Sequence, residues 1–254
     1  MSGTYAPRPG SAPLRQQVWA QTGMETRLML RNGEQLLLAV VIPVIVLVGG
    51  VMAAEHLDVA LDHPAVDVFT PGVLALAVMS TSFTSLAIMT GFERRYGVIK
   101  RLGASPLPRH GLLLGKVGAL VIVESLQVAM ISVVAAFLGW DPANGWLPAL
   151  VALVLGTAAF ASLGLFLAGV LRAEATLAAA NLIYLLLLAG GAVVLPSDSY
   201  GALGGIVTWL PSGALGEAMR AAFLGGVFAW TDLAVLAGWA LVGTALTART
   251  FTWE

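Results

Sequence analysis

The chain has 254 residues, of which 58% are hydrophobic and 11% charged, with a formal net charge of −1 and no cysteine. Water-soluble chains carry roughly a quarter of their residues as charges. This composition, with a mean hydropathy of +0.89, therefore excludes an ordinary soluble domain, and the missing cysteine excludes disulfides, thiolate metal sites and a cysteine nucleophile.

The first thirty residues contain Arg8, Arg15, Arg27, Pro7, Pro9 and Pro13 but no apolar stretch. No cleavable secretory signal is expected there, which leaves the first spanning helix as the targeting signal. Residues 1–12 are expected to be a disordered tail. Residues 13–35, "PLRQQVWAQTGMETRLMLRNGEQ", mix Leu14, Val18, Trp19, Leu28 and Met29 with arginines and glutamines. That composition suits a helix lying in the membrane interface, apolar side chains in lipid and arginines at headgroups; a solvated tail is the alternative.

Beyond residue 35 the chain is dominated by runs without Asp, Glu, Lys or Arg: 36–54, 68–92, 125–140, 145–171 and 175–197. Crossing the hydrocarbon as a helix takes about 20 apolar residues. The strict alternation of a membrane β-barrel strand is absent from these runs. The sequence predicts an all-α polytopic membrane protein with six spans, at 36–54, 70–90, 112–138, 147–170, 175–195 and 233–248. Trp230, Phe251 and Trp253 flank the short sixth span as interfacial aromatics do. With the N-terminus inside, every Lys and Arg except Arg220 falls on the cytoplasmic side. The outer loops carry Glu55, Asp58, Asp62, Asp67, Asp141, Asp198, Glu217 and Asp232, so the positive-inside rule puts both termini in the cytoplasm. His56 and His63 flank Asp58 and Asp62 at a spacing that matches no strong zinc pattern, and no metal site is expected.

Residues 200–230, "YGALGGIVTWLPSGALGEAMRAAFLGGVFAW", are apolar but broken at Pro211-Ser212-Gly213. Proline removes a helix donor and crowds the preceding turn. Two half-length helices forming a re-entrant hairpin from the outer face are expected rather than a seventh span, which would put the C-terminus outside. Broken backbone at membrane depth must be buried in protein or line a cavity.

The segment "ERRYGVIKRLGASPLPR", residues 93–109, concentrates charge in an otherwise apolar chain. In the six-span topology it belongs to the largest cytoplasmic loop, 91–110, between spans two and three. Its helix is expected to continue span two and to end at Gly103, with Ser105-Pro106 and Pro108 turning the chain. The positive-inside rule explains the sign of the charge but not its order. That order resembles the cytoplasmic loop of ABC-2-type transporter permeases, closest to the bacterial drug-exporter subfamily, whose pattern is E-R-x-x-G-x-x-x-R-L-x-x-[ST]-P. Glu93, Arg94, Gly97, Arg101, Leu102, Ser105 and Pro106 match it. The N-terminal helix, the six spans, the broken hairpin and the ending "FTWE" extend the likeness over nearly the whole chain.

The resemblance implies a type V ABC exporter-like fold, 36–254, preceded by the interfacial helix. It implies a loop that docks as a coupling helix on a separate ATPase, with Glu93, Arg94, Arg95, Gly97, Lys100, Arg101, Leu102, Ser105 and Pro106 at or near that contact. It further implies two ATPase subunits holding ATP and Mg, a second permease half that is identical or related, and a bacterial plasma membrane. No cofactor is expected on this chain, nor any nucleic-acid partner. A phosphate loop needs G-x-x-x-x-G-K-[ST]. The nearest stretch, "GLLLGKV" at 111–117, is one residue short and ends in valine; Lys116 there is expected to snorkel to the headgroups. The chain is therefore expected to be no enzyme itself.

Polar residues inside the spans are the pathway candidates. Thr81, Thr84 and Ser85 share a helix face at i, i+3 and i+4, and in the family spans two and five line the route; helix packing is the alternative. Asn181 and Tyr184 on span five could meet an amphiphilic substrate or bond across helices. Glu124 in span three is the one acid inside a predicted span, a functional site by default or a structural residue near the interface; Gln127 lies one turn on. The function expected is export of a hydrophobic or amphiphilic compound such as a drug, metabolite or lipid. An ion-coupled carrier would need paired intramembrane charges and usually an internal repeat, and a non-transporting scaffold would need no docking helix.

Overall fold

The computed structural model describes residues 12–33, 37–57, 61–103 and 108–250. The described residues hold no β-strand. Six of their helices are long and apolar enough to cross a membrane, so the fold is the all-α polytopic bundle predicted. In chain order, α1 is Leu14–Arg31, α2 Ala39–His56, α3 Ala65–Arg95, α4 Val98–Gly103 and α5 Arg109–Phe137. Then follow α6 Trp146–Val170, α7 Ala173–Gly190, α8 Gly204–Val207, α9 Pro211–Gly225 and α10 Trp230–Thr250. The spans are α2, α3, α5, α6, α7 and α10.

The second span, α3, is the axle of the bundle. Of its most apolar stretch 89% is buried in the protein, against 17% for α10. Lipid tails are as apolar as leucine, so such helices associate through close packing of small residues rather than by escaping water. Gly164 of α6 shows this: a Cβ there would lie 2.8 Å from the Phe83 carbonyl oxygen of α3. At its centre α3 widens into π turns over Met79–Ser85, "MSTSFTS". Such wide turns recur at functional sites.

α1 is amphipathic in an inverted sense. Gln21, Thr22, Glu25 and Thr26 face inward, whereas Trp19 and Leu28 are exposed. The inward face rests on α5 where Gly115 and Gly118 admit it; a Cβ on Gly118 would lie 2.7 Å from the Thr22 hydroxyl.

Three boundaries differ from expectation. α3 begins at Ala65 and runs through Pro71, which lies inside the helix and forfeits one i→i−4 hydrogen bond. α7 stops at Gly190 instead of continuing to residue 195. Ala192 has φ 51°, and the carbonyls of Ala192, Val193 and Val194 turn toward Arg220. The hairpin is also lopsided: its first arm is a 3₁₀ turn, Ser197–Leu203, plus the four-residue α8, and only α9 is a full helix. Pro211 opens α9 rather than breaking it, at the first turn, where a missing N–H costs nothing. The 15 residues of α9 measure about 22 Å, too short to cross hydrocarbon of about 30 Å. They are buried against α3, α6 and α10.

Candidate functional site

The loop after α3 is not one continued helix. Gly97, at φ 66°, breaks it after Arg95, and α4 restarts at Val98. Only glycine enters that left-handed region without strain. The charged residues around the break fall into two groups.

Glu93 and Arg94 turn inward. Glu93 accepts from Lys116 Nζ of α5 at 2.7 Å, and the same ammonium lies 3.1 Å from Glu25 of α1. Gln21 Nε2 donates to Glu25 at 2.8 Å. One ion-paired cluster therefore joins α1, α3 and α5. Lys116 is only 12% exposed, so it is a buried link and not the snorkelling side chain expected. Arg94 Nη1 donates to the carbonyls of Ala168 and Gly169, the latter at 2.9 Å, and so takes up acceptors left free at the end of α6.

The other group faces outward. Arg95 is half exposed and pairs with Glu174 at the start of α7. Tyr96 is exposed and stacks on Phe92. Lys100 and Arg101 are exposed, and Leu102 is half-buried. Ser105 and Pro106 lie outside the described residues, as do residues 1–11 of the N-terminal tail and the "FTWE" ending.

A second polar centre lies within the bundle. Thr81 Oγ1 donates to Gln127 Oε1 at 2.9 Å, and Gln127 Nε2 donates to the Ala39 carbonyl. Ser82 of α3 and Thr157 of α6 donate to the two carboxylate oxygens of Glu124, the latter at 2.7 Å. Gln127 thus serves Thr81 rather than sharing partners with Glu124. Thr81 and Ser85 line one small cavity of about 70 Å³ with Gln127, and Thr84 is buried outside it. The i→i+5 turns of this segment bring i and i+4 together in place of i and i+3. Asn181 is half-buried and Tyr184 fully buried on α7, which packs on α3. The structure brings Thr81 and Ser85 to one cavity, gives Glu124 separate partners, and leaves Asn181 and Tyr184 in a further contact. Ser82 and Thr157 had no sequence signal beyond being hydroxyls in apolar helices.

A third feature escaped the sequence reading. Arg220, 4% exposed, donates through Nη2 to the Ala192 carbonyl at 2.9 Å and through Nη1 to Val193 and Val194 at 3.3 and 3.2 Å. It also pairs with Glu217 at 3.1 Å, and Glu217 accepts from the Ser197 amide at 2.7 Å. Gly216 permits the approach, since a Cβ there would lie 2.7 Å from the Val193 carbonyl oxygen. A lone arginine three residues after a glutamate, inside an apolar hairpin, was the available signal.

Six apolar spans around a buried axle, with a short basic helix following its end, define a polytopic membrane protein. A family model described as ABC-2 type transporter matches residues 16–224. The chain belongs to that family and is a permease component of an ABC transporter. A search of curated proteins returns no match.

Proposed function

We propose that this chain is the export permease of a bacterial drug-exporter-type system and that α4, with Arg95 and Tyr96, is its docking element for the ATPase. The basic end of the bundle faces the cytoplasm, as does α1, which lies in the interface with its apolar side chains toward lipid. Two ATPase subunits bind ATP and Mg, and a second permease half completes the pathway. A hydrophobic or amphiphilic compound is carried outward in the membrane of a bacterial cell.

The division of charge between exposed and committed residues in this loop carries this reading. Arg95, Lys100 and Arg101 are exposed, while Glu93 and Arg94 are committed to α1, α5 and α6. A complementary acidic surface can grip the first group. Motion imposed there is passed through the second group to three other helices, because ion pairs and charge-assisted hydrogen bonds at partly buried sites are short and directional.

The test is the double reversal Lys100→Glu with Arg101→Glu in the full chain, co-expressed with the ABC ATPase. Co-purification and substrate-stimulated hydrolysis are expected to be lost while the permease keeps its melting temperature. Retention of both by the folded variant overturns the docking assignment.

A further inference from the structure

Spans α5 and α6 are consecutive in the chain, yet each rests on α3, and a groove of about 770 Å³ opens between them. Its floor includes the fully buried Leu74 and Met219, and Val121, Leu150 and Val154 form its exposed walls. Almost everything that lines it is hydrocarbon. The exception at its base is Glu124, 8% exposed, bridging the floor through Ser82 and Thr157.

Two hydroxyls are poor compensation for a carboxylate in hydrocarbon, which costs several kcal/mol unless it is paired. Among the described residues no basic side chain pairs with it. Lys116, eight residues earlier on the same helix, is held by Glu93 and Glu25. Arg220 is held by Glu217 and three carbonyls. Every other Lys and Arg lies near the basic end or before the first span. A second copy of this chain would therefore bring apolar side chains to the groove but no cation, and a lipid tail would bring none either. Ser132 lines the same groove, about 12 Å further along α5, and its hydroxyl has no partner among the described residues.

We propose that this groove binds a cationic amphiphile, with a protonated amine seated against Glu124 and an apolar body lying between α5 and α6. The inference rests on the permease reading and names the substrate class that such a permease would take. A charge-assisted hydrogen bond from the ammonium supplies what Ser82 and Thr157 do not. The apolar walls select for a long or ring-bearing hydrocarbon body, and the Ser132 hydroxyl marks where a polar group at the far end would be tolerated.

The test uses the full chain in phosphatidylcholine nanodiscs without ATPase. The probes are a dansyl-labelled dodecylamine and its N-acetylated, uncharged analogue, with empty nanodiscs subtracted. The wild type is expected to bind the amine about tenfold more tightly than the analogue, a typical margin for a hydrogen bond to a charged group. Glu124→Gln should abolish that preference and leave analogue binding unchanged. Leu150→Trp, which fills the groove without touching the hydrogen bonds, should weaken both probes. Equal binding of the two probes by the wild type, or a preference that survives Glu124→Gln, overturns the proposal. Should Glu124→Gln fail to fold, undiminished amine binding by Leu150→Trp overturns it alone. A change in oligomeric state on Leu150→Trp with binding intact would assign the groove to a second copy, also against the proposal. Since no ATPase is present, a negative result leaves the permease reading standing. Loss of ATPase association in the Lys100/Arg101 variant would equally leave this site standing.

Discussion

Two arginines stop the ends of helices at opposite poles of this molecule, and they are built for different duties. Arg94 takes the last carbonyls of α6, and its sequence neighbours Arg95, Lys100 and Arg101 reach outward. Arg220 takes the three carbonyls beyond α7, and everything around it is turned inward: Glu217, Ser197, Gly216. The same chemistry, a guanidinium on freed carbonyls, makes a joint beside exposed charge at the basic end and a closed clamp at the other. The difference lies in what surrounds each arginine and not in the arginine itself.

Substitution sharpens the contrast. Arg220→Met leaves three carbonyls and a carboxylate without their cation, so a loss of about 3–5 kcal/mol is expected. In a thermal melt of the purified permease this reads as a drop on the order of 10 °C. A melt within a degree of wild type would mean that the clamp is not structural. Arg94→Ala removes hydrogen bonds at a half-exposed position, so about 1–3 kcal/mol is expected in the same melt, together with weakened coupling of hydrolysis to transport. Equal losses at the two sites would erase the distinction between joint and clamp.

A smaller effect separates the clamp's charge from its shape. Burial pushes the Glu217 carboxyl upward, but Arg220 and the Ser197 amide outweigh burial and hold it below its ordinary 4.5. A carboxyl lowered in the folded state contributes stability that is present above its unfolded value and is lost as pH falls through the folded one. The stability gap between wild type and Glu217→Gln should be full at neutral pH and shrink progressively below about pH 4.5. A gap that stays constant down to pH 3 would show that the carboxyl is not held as an anion. The smallest effect belongs to Lys100→Glu with Arg101→Glu, where exposed charges should change stability by no more than about 0.5 kcal/mol. A large destabilisation there would make α4 part of the core.

The sequence made the six spans legible because uncharged runs of spanning length admit few other structures. It made the family legible because the order Glu-Arg-x-x-Gly in the basic loop exceeds what a topological charge bias requires. It did not disclose that Gly97 divides that loop, since a helix pattern reads the same across a single glycine. Nor did it disclose Lys116 as a buried link, because its two partners come from α1 and α3, 91 and 23 positions away in sequence by residue number. Arg220 was visible as the one basic residue on its side, but its partners are main-chain carbonyls, which no sequence pattern marks. The group Thr81, Ser82, Glu124, Gln127 and Thr157 was half legible: its acid was conspicuous, and its hydroxyls were indistinguishable from those that only pack.

The chain has no native cysteine, so Lys100→Cys provides a single reactive handle on α4. Carrying a thiol-linked photo-crosslinker in membranes that also contain the ABC ATPase, that variant should give one dominant adduct, permease joined to ATPase. A handle that reacts instead with an impermeant reagent added outside intact cells, and forms no ATPase adduct, would contradict the account at its centre.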